Sequence, residues 1–318
     1  MVKMRFLLDI LFGSSHLTFP QIAAKSKDED PQIFKIYLTQ GAEIKSYYTI
    51  IDIPSYQKIR PAGQLQQFKR ATSPLYQGFL IDLRPFENFD TYFQSHFDAK
   101  ARRNYRRQGK KLQNEIQQHQ RNIFCGEIKE STLDLLFDQL KIFLENRFDQ
   151  KEAKNYEIPI LPLYRKMFGK LLPDGNAIIF SRFDKEMPIC IGIGFIDDKT
   201  LYLFNIAYNV EYSQYGLGNQ LMIDVLKWCF ENNIAFVDMG RGDFLHKRYW
   251  VNSQYTYLQI NLFDPKNLTA ILQAYSSWVK NNIRFYLIIF LKKLRVHQLA
   301  KILFLWRYRA KRMLMHKQ

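Results

Sequence analysis

Two short stretches concentrate the residues that could do chemistry. The first is Ser213-Gln214-Tyr215-Gly216-Leu217-Gly218-Asn219. Its two glycines let the backbone come close to a ligand, and they open an apolar-periodic run that reads as a helix. Unpaired N–H groups at a helix start donate to anions, and the helix dipole adds to the attraction, so this stretch has the chemistry of a phosphate-binding loop. A plain glycine turn opening a helix accounts for the same residues. The second stretch is Asp238-Met239-Gly240-Arg241-Gly242-Asp243-Phe244-Leu245-His246-Lys247-Arg248-Tyr249-Trp250. It gathers two carboxylates, a histidine, a tyrosine and several cations directly after a β-rich run, the residue types that general acid–base chemistry uses.

The elements that must position these stretches follow from hydrophobic period and turn residues. Residues 33–38, 46–53 and 75–83 read as strands. A long basic helix is expected over residues 92–120, with Phe93, Phe97, Ala101, Tyr105, Leu112 and Ile116 on one stripe and Lys100, Arg102, Arg103, Arg106, Arg107, Lys110 and Lys111 over the rest. Then come a strand at 123–128, a helix at 133–148 and a shorter helix at 163–171. Strands at 177–183, 189–196 and 201–207 are joined by short polar turns and form an antiparallel meander. A helix at 217–232, a strand at 234–239, a short helix at 244–250 and a strand at 255–263 complete the order. A meander followed by a β-α-β unit makes a mixed sheet, and such sheets bind ligands where neighbouring strands diverge at their carboxyl ends.

The chain of 318 residues is 47% apolar and 15% aromatic, enough for one large core or two modest ones and inconsistent with disorder. Its net charge of +16 is uneven. No acidic residue follows Asp264, while twelve Lys and Arg do, so the C-terminal segment favours polyanions or anionic lipid. Cys125, Cys190 and Cys229 are sparse and unpaired in sequence, which points to a reducing compartment, and Cys190 reads as a packed sheet residue. The histidines are scattered, and no metal site is expected. The basic and apolar N-terminus is interrupted by Asp9, and no run approaches the roughly 20 residues of a membrane span, so a cytoplasmic protein is expected, peripheral at most to the inner face of the membrane.

The order of elements resembles the GNAT acyltransferase fold, an α/β class with a mixed sheet. In that family a Gln/Arg-x-x-Gly-x-Gly/Ala loop between the fourth strand and the third helix wraps the pyrophosphate of coenzyme A. Residues 213–219 stand in that place, with Ser213 where Gln or Arg is usual and Gln214 one position later. The segment 238–250 resembles the CelD-like and FemAB-like branch, in which the fifth strand ends in Asp-x-Gly and a Gly-Asp-x-x-x-Lys segment follows; His246 stands where that branch often has Tyr. The basic helix also fits the branch. The resemblance implies three parts: residues 1–120 as a degenerate GNAT-like half ending in the basic helix, 121–264 as the acyltransferase domain, and 265–318 as a basic amphipathic tail.

The resemblance further implies acetyl-CoA or another acyl-CoA as co-substrate and no metal. Backbone groups of Asn205, Ile206, Ala207 and Tyr208 would hydrogen-bond the pantetheine, and Gln214, Tyr215, Gly216, Leu217, Gly218 and Asn219 would hold the pyrophosphate. Direct transfer needs an acceptor deprotonated, an oxyanion stabilised and a thiolate protonated. Asp238 or Asp243 would position or deprotonate the acceptor, His246 would serve as acid or base, and Tyr249 would donate to the thiolate. Arg241 and Lys247 would bind an anionic acceptor. Each has a structural alternative: Asp243 as a helix cap, Lys247 and Arg248 as a solvated face, Tyr249 and Trp250 as core aromatics.

The expected function is acyl-CoA-dependent N-acetyl or other acyl transfer to a small amine or hydroxyl, including cell-envelope or polysaccharide precursors. Two rivals stand beside it. One is FemAB-like transfer from aminoacyl-tRNA, with the helix of Lys100 to Lys111 on the phosphates. The other is a non-enzymatic binder of polyanions or of an anionic membrane surface through residues 270–318.

Overall fold

The computed structural model describes residues 2–11, 22–26, 33–38, 42–149 and 158–294. A nine-stranded sheet runs through both halves of the chain in the order β1-β4-β12-β6-β11-β10-β9-β8-β7. The first half supplies β1 (Val2–Arg5), β4 (Tyr47–Pro54) and β6 (Lys69–Asp82). The second supplies β7 (His119–Phe124), β8 (Ala177–Asp184), β9 (Met187–Asp197), β10 (Thr200–Tyr208), β11 (Phe236–Arg241) and β12 (Ser253–Phe263). β12 lies between β4 and β6, antiparallel to both, and β6 separates it from β11. The pairs β1–β4 and β10–β11 are parallel. A small sheet of β2 (Ile22–Ser26), β3 (Ile33–Leu38) and β5 (Lys58–Pro61) stands apart.

Alternation along the strands gives the sheet two apolar faces. One face, with Ile50, Ile191, Ile193, Tyr202, Tyr255 and Ile260, packs on α3 (Glu130–Asp149), α4 (Leu161–Leu171) and the small sheet. The other, with Phe79, Ile81, Leu201, Leu203 and Val237, packs on α1 (Phe89–His96), α2 (Ala99–Glu115) and α5 (Leu217–Glu231). α7 (Leu268–Lys293) covers the far end of this second face through Ala270 and Ala274. The short helix α6 (Leu245–Arg248) connects β11 to β12.

The expected order of strands and helices after residue 121 is the observed one. β1, β2 and β5 are not among the expected strands, and three expected elements have other bounds. The long basic helix is two helices, because Asn88 forms a capping box for α1 and the Asp98 carboxylate accepts from Ala101 N–H at 2.7 Å to start α2 afresh. The strand expected at 123–128 is β7 at residues 119–124, since its polar residues pair along the edge of β8. The strand expected at 75–83 begins six residues earlier, drawn out by its full-length ladder with β12.

Candidate functional site

β10 and β11 pair only from Thr200↔Phe236 to Tyr202↔Asp238. Beyond that point β10 stays with β9, and β11 stays with β6 as far as Arg241↔Gly78. The two parallel strands therefore diverge at their carboxyl ends, the place where such sheets receive ligands. Neighbouring strands break register along the same line. β10 shifts between Leu203 and Asn205, β11 between Asp238 and Arg241, and β12 against β6 between Tyr257 and Leu258. Bulges concentrate beside functional sites because they re-aim side chains.

Asp238 sits at the point of divergence. It is 1% exposed, and its carboxylate accepts from Tyr56 Oη at 2.8 Å, from Tyr255 Oη at 2.6–2.7 Å and from Gly240 N–H at 2.6 Å. Burial pushes its carboxyl up, against the pull of these donors and of Lys247. Around it Tyr56, Tyr255 and Tyr257 meet edge to face at centroid distances of 4.9–5.0 Å, and Tyr76 joins Tyr257 at 5.0 Å. The Tyr255 ring lies over Gly78, where any Cβ would collide with it. Burial and the nearby carboxylates push the hydroxyls of Tyr56, Tyr202, Tyr255 and Tyr257 well up, so all four remain protonated donors. Gln57 donates to Tyr202 Oη, and its own buried Oε1 has no hydrogen-bond partner. Tyr76 donates to Asp52, whose φ of +62° is a strained conformation for a non-glycine residue, and the Arg241 guanidinium lies 5.6 Å from the Tyr76 ring centre.

At the end of β10 the chain makes a short 3₁₀ turn, Val210–Tyr215, and enters α5 through Gly216 at φ +60°. Only glycine adopts that geometry freely, and the Gln108 amide of α2 fills the space that a Cβ would need. Gly218 is less constrained, because a Cβ there meets only the Tyr208 ring at 3.6 Å. Gln214 accepts from Lys111 Nζ at 2.9 Å, and Tyr215 donates to Glu115 at 2.9 Å. The loop is thus braced on the basic helix, whose outward face exposes Lys100, Arg103, Arg106, Arg107 and Lys110. A glycine-opened helix start beside these cations fits the phosphates of a coenzyme A. Along β10, Asn205, Ile206, Ala207 and Tyr208 continue past the last pair with β11. The Ile206 carbonyl accepts from Arg147 of α3 at 3.2 Å.

The residues after β11 divide. Asp243 pairs with Arg248 at 2.5–2.6 Å, and the cap of α6 is Phe244, with no side-chain cap bond, not Asp243. Lys247 donates to the carbonyls of Met239 and Arg241 at 2.5 and 2.8 Å and ties α6 to the strand end. Tyr249 is exposed, while Trp250 is buried against Phe97 and Tyr105. The side chain of His246 lies outside the described residues. Tyr56 and Tyr255, which donate to Asp238, and Gln57, Tyr76 and Tyr202 beyond them escaped the sequence reading. The motif that singled out Asp238 extends forward in the chain, whereas Tyr56 comes from a loop 182 residues earlier. Among the described residues, no group of His, Cys, Asp or Glu could hold a metal ion.

Residues 99–248 match the family described as acetyltransferase (GNAT) domain, and the mixed α/β sheet is of the class expected for it. No curated protein matches the sequence. Among solved structures, L-PGS from Bacillus licheniformis is similar at 11% identity, covering 81% of this chain and 86% of its own, with a TM-score of 0.43. A conserved protein of unknown function from Bacteroides thetaiotaomicron is similar at 8% identity over 76% and 82%, with a TM-score of 0.42. The PaiA N-acetyltransferase from Thermoplasma acidophilum, in complex with coenzyme A, is similar at 9% identity over 44% and 98%, with a TM-score of 0.33. With TM-scores below 0.5, these likenesses carry no functional weight.

Proposed function

We propose that the protein transfers an acyl group from an acyl-coenzyme A directly to a small amine or hydroxyl, with cell-envelope or polysaccharide precursors as the acceptor class. The observation that carries this reading is the divergence of β10 from β11 after Tyr202↔Asp238, with the Gly216 loop at the end of the same β10. The stretch Asn205–Tyr208 of β10, past its last pair with β11, suits an extended pantetheine arm, and the α5 start suits the phosphates.

The acceptor's nitrogen or oxygen attacks the thioester carbonyl, its bond to carbon forms, the carbon–sulfur bond breaks, and the acceptor's proton ends on the thiolate. In this arrangement Asp238 is a positioning residue. Its lone pairs are committed to Tyr56, Tyr255 and Gly240, so it aims the tyrosines instead of taking the proton itself. The tyrosine hydroxyls are held protonated, and one of them reaches a developing oxyanion or thiolate by turning its single hydrogen away from Asp238, so Asp238 sets which tyrosine donates. Arg241, beside Tyr76, faces an anionic acceptor.

Calorimetric titration with acetyl-CoA tests the reading. Micromolar binding is expected for the wild type and its loss for Gly218→Glu, a position with room for a side chain but no tolerance for a charge beside phosphates. Tyr255→Phe is expected to bind acetyl-CoA as the wild type does and to lower kcat at least tenfold. Absence of binding by the folded wild type sinks the acyl-CoA reading. The row of exposed cations on α2 favours a second donor in that event, an aminoacyl-tRNA, and a filter-binding assay on Arg103→Glu with Arg107→Glu would then decide.

A further inference from the structure

α7 leaves the sheet halfway along its length. Its inner face is small and polar: Ala270 and Ala274 are buried, Ser277 accepts from Gln259 at 2.7 Å, and Asn281 donates to Ser73 at 2.9 Å. Past Asn281 the pattern ends. Residues 285–291 are seven consecutive apolar residues, so the apolar surface passes around the whole helix, and Tyr286 and Phe290 are 62% and 57% exposed. A helix that is apolar all round needs a core or lipid about it.

The end of this helix reaches the residues after β11. Lys292 Nζ lies 3.8 Å from Asp243, which sets the tip of α7 beside α6, where Phe244, Leu245 and Tyr249 are exposed, Leu245 by 67%. The fixed charges on α7 are all positive: Lys280, Arg284, Lys292 and Lys293. Two elements distant in sequence thus present one apolar surface edged with cations.

We propose that the second half of α7 and α6 form a single platform that docks on an anionic bilayer surface. The apolar side chains enter the boundary between headgroups and acyl chains, and the lysines and arginines meet lipid phosphates. The run 285–291 is about 10 Å long, against the roughly 30 Å of a bilayer core, so α7 lies in the interface and does not cross it; among the described residues no helix is long and apolar enough to cross. A second copy is a poor occupant, because a self-facing contact sets the same cations against each other. Nucleic acid would meet the cations but leave the aliphatic surface in water.

Co-sedimentation of the full chain with vesicles tests this, comparing phosphatidylglycerol–phosphatidylcholine mixtures with phosphatidylcholine alone. The expected result is binding to the anionic vesicles, weakened by salt, at least tenfold weaker in Tyr286→Glu with Phe290→Glu and severalfold weaker in Leu245→Glu. Circular dichroism establishes that the variants fold, which they should, since all three positions are exposed. The proposal is overturned if the wild type ignores anionic vesicles or if the double variant binds as well as the wild type. It is equally overturned if Leu245→Glu has no effect, or if light scattering finds a dimer that the substitutions abolish while vesicle binding is absent. A loss of thermal stability in the double variant without vesicle binding in either protein would assign the surface to the chain's own C-terminal residues and overturn it too.

Discussion

Asp238, fully buried, and Asp197, half-buried, illustrate how differently two carboxylates can be handled within one sheet. Asp238 has three donors, and the site is organised around it. Asp197 ends β9 near Tyr202 and beside Asp198, and burial pushes its carboxyl up to about 6, with Asp198 adding to the effect. A carboxyl raised in the folded state holds its proton longer than in the unfolded chain. Between the unfolded value near 4 and the folded value near 6, the native state therefore binds more protons, and stability falls as pH rises. The shift of about 2 units sets an upper bound of about 3 kcal/mol on this loss. Asp197→Asn should remove it. Thermal melts from pH 4 to 7 are expected to show the variant gaining on the wild type as pH increases, and a constant difference across the range would contradict the assignment. The sequence pointed to Asp238 through its Asp-x-Gly context but gave no sign of its tyrosine partners, because aromatic residues in alternating strands are equally the mark of ordinary core. Only the three-dimensional meeting of Tyr56, Tyr202 and Tyr255 sets them apart.

At the scale of elements, α5 must stay fixed for its Gly216 start to be useful, and one buried ion pair holds it to the sheet. Arg182 of β8 donates to Asp224 of α5 at 2.8 Å through Nε, pairs with it at 2.7 Å through Nη2 and reaches the Gln220 carbonyl at 3.1 Å; Arg121 stands 3.5 Å from the same carboxylate. Both main partners are below 10% exposure. Removing one leaves a buried charge alone, which typically costs about 3–5 kcal/mol, whereas replacing both by apolar residues of similar volume is often neutral. Chemical denaturation should find Asp224→Ala destabilised by about that amount and Arg182→Met with Asp224→Leu close to the wild type; a double variant as unstable as the single would mean that the pair is worth more than its mutual rescue. Element order was legible because the meander strands are short apolar runs separated by polar turns and α5 carries an apolar stripe at helical spacing. The break between α1 and α2 was written in the capping residues Asn88 and Asp98 but hidden by an apolar stripe that continues across it, from Phe93 and Phe97 to Ala101 and Tyr105. Arg182 follows Ile178 and Phe180 on one face of β8, and Asp224 shares the buried face of α5 with Leu217 and Leu221; a charge on an apolar face marks each, but neither local pattern names the other as its partner.

At the scale of the whole molecule, the candidate site depends on strands from both halves of the chain. The family match ends at Arg248, yet β11 is flanked on one side by β6, and β12 has β4 and β6 as its two neighbours. Cutting away the first half would leave β11 with one partner and β12 with none from its native ladder. It would also take Tyr56 from Asp238, leaving a buried carboxylate with fewer donors, at about 1–3 kcal/mol. α2, which braces the Gly216 loop through Gln108 and Lys111, would go as well. Residues 119–263 expressed alone are therefore expected to lack a cooperative thermal transition and near-ultraviolet dichroism, although they contain all six strands from β7 to β12. The full chain should melt with the sheet as one unit. A cooperative transition in the fragment, with acetyl-CoA binding retained, would mean that β12 can pair directly with β11 and that β6 is an insertion the site does without. In that case the tyrosine cluster would lose its claim on the chemistry, because Tyr56 and Tyr76 would be dispensable while the acyl-CoA loop would not.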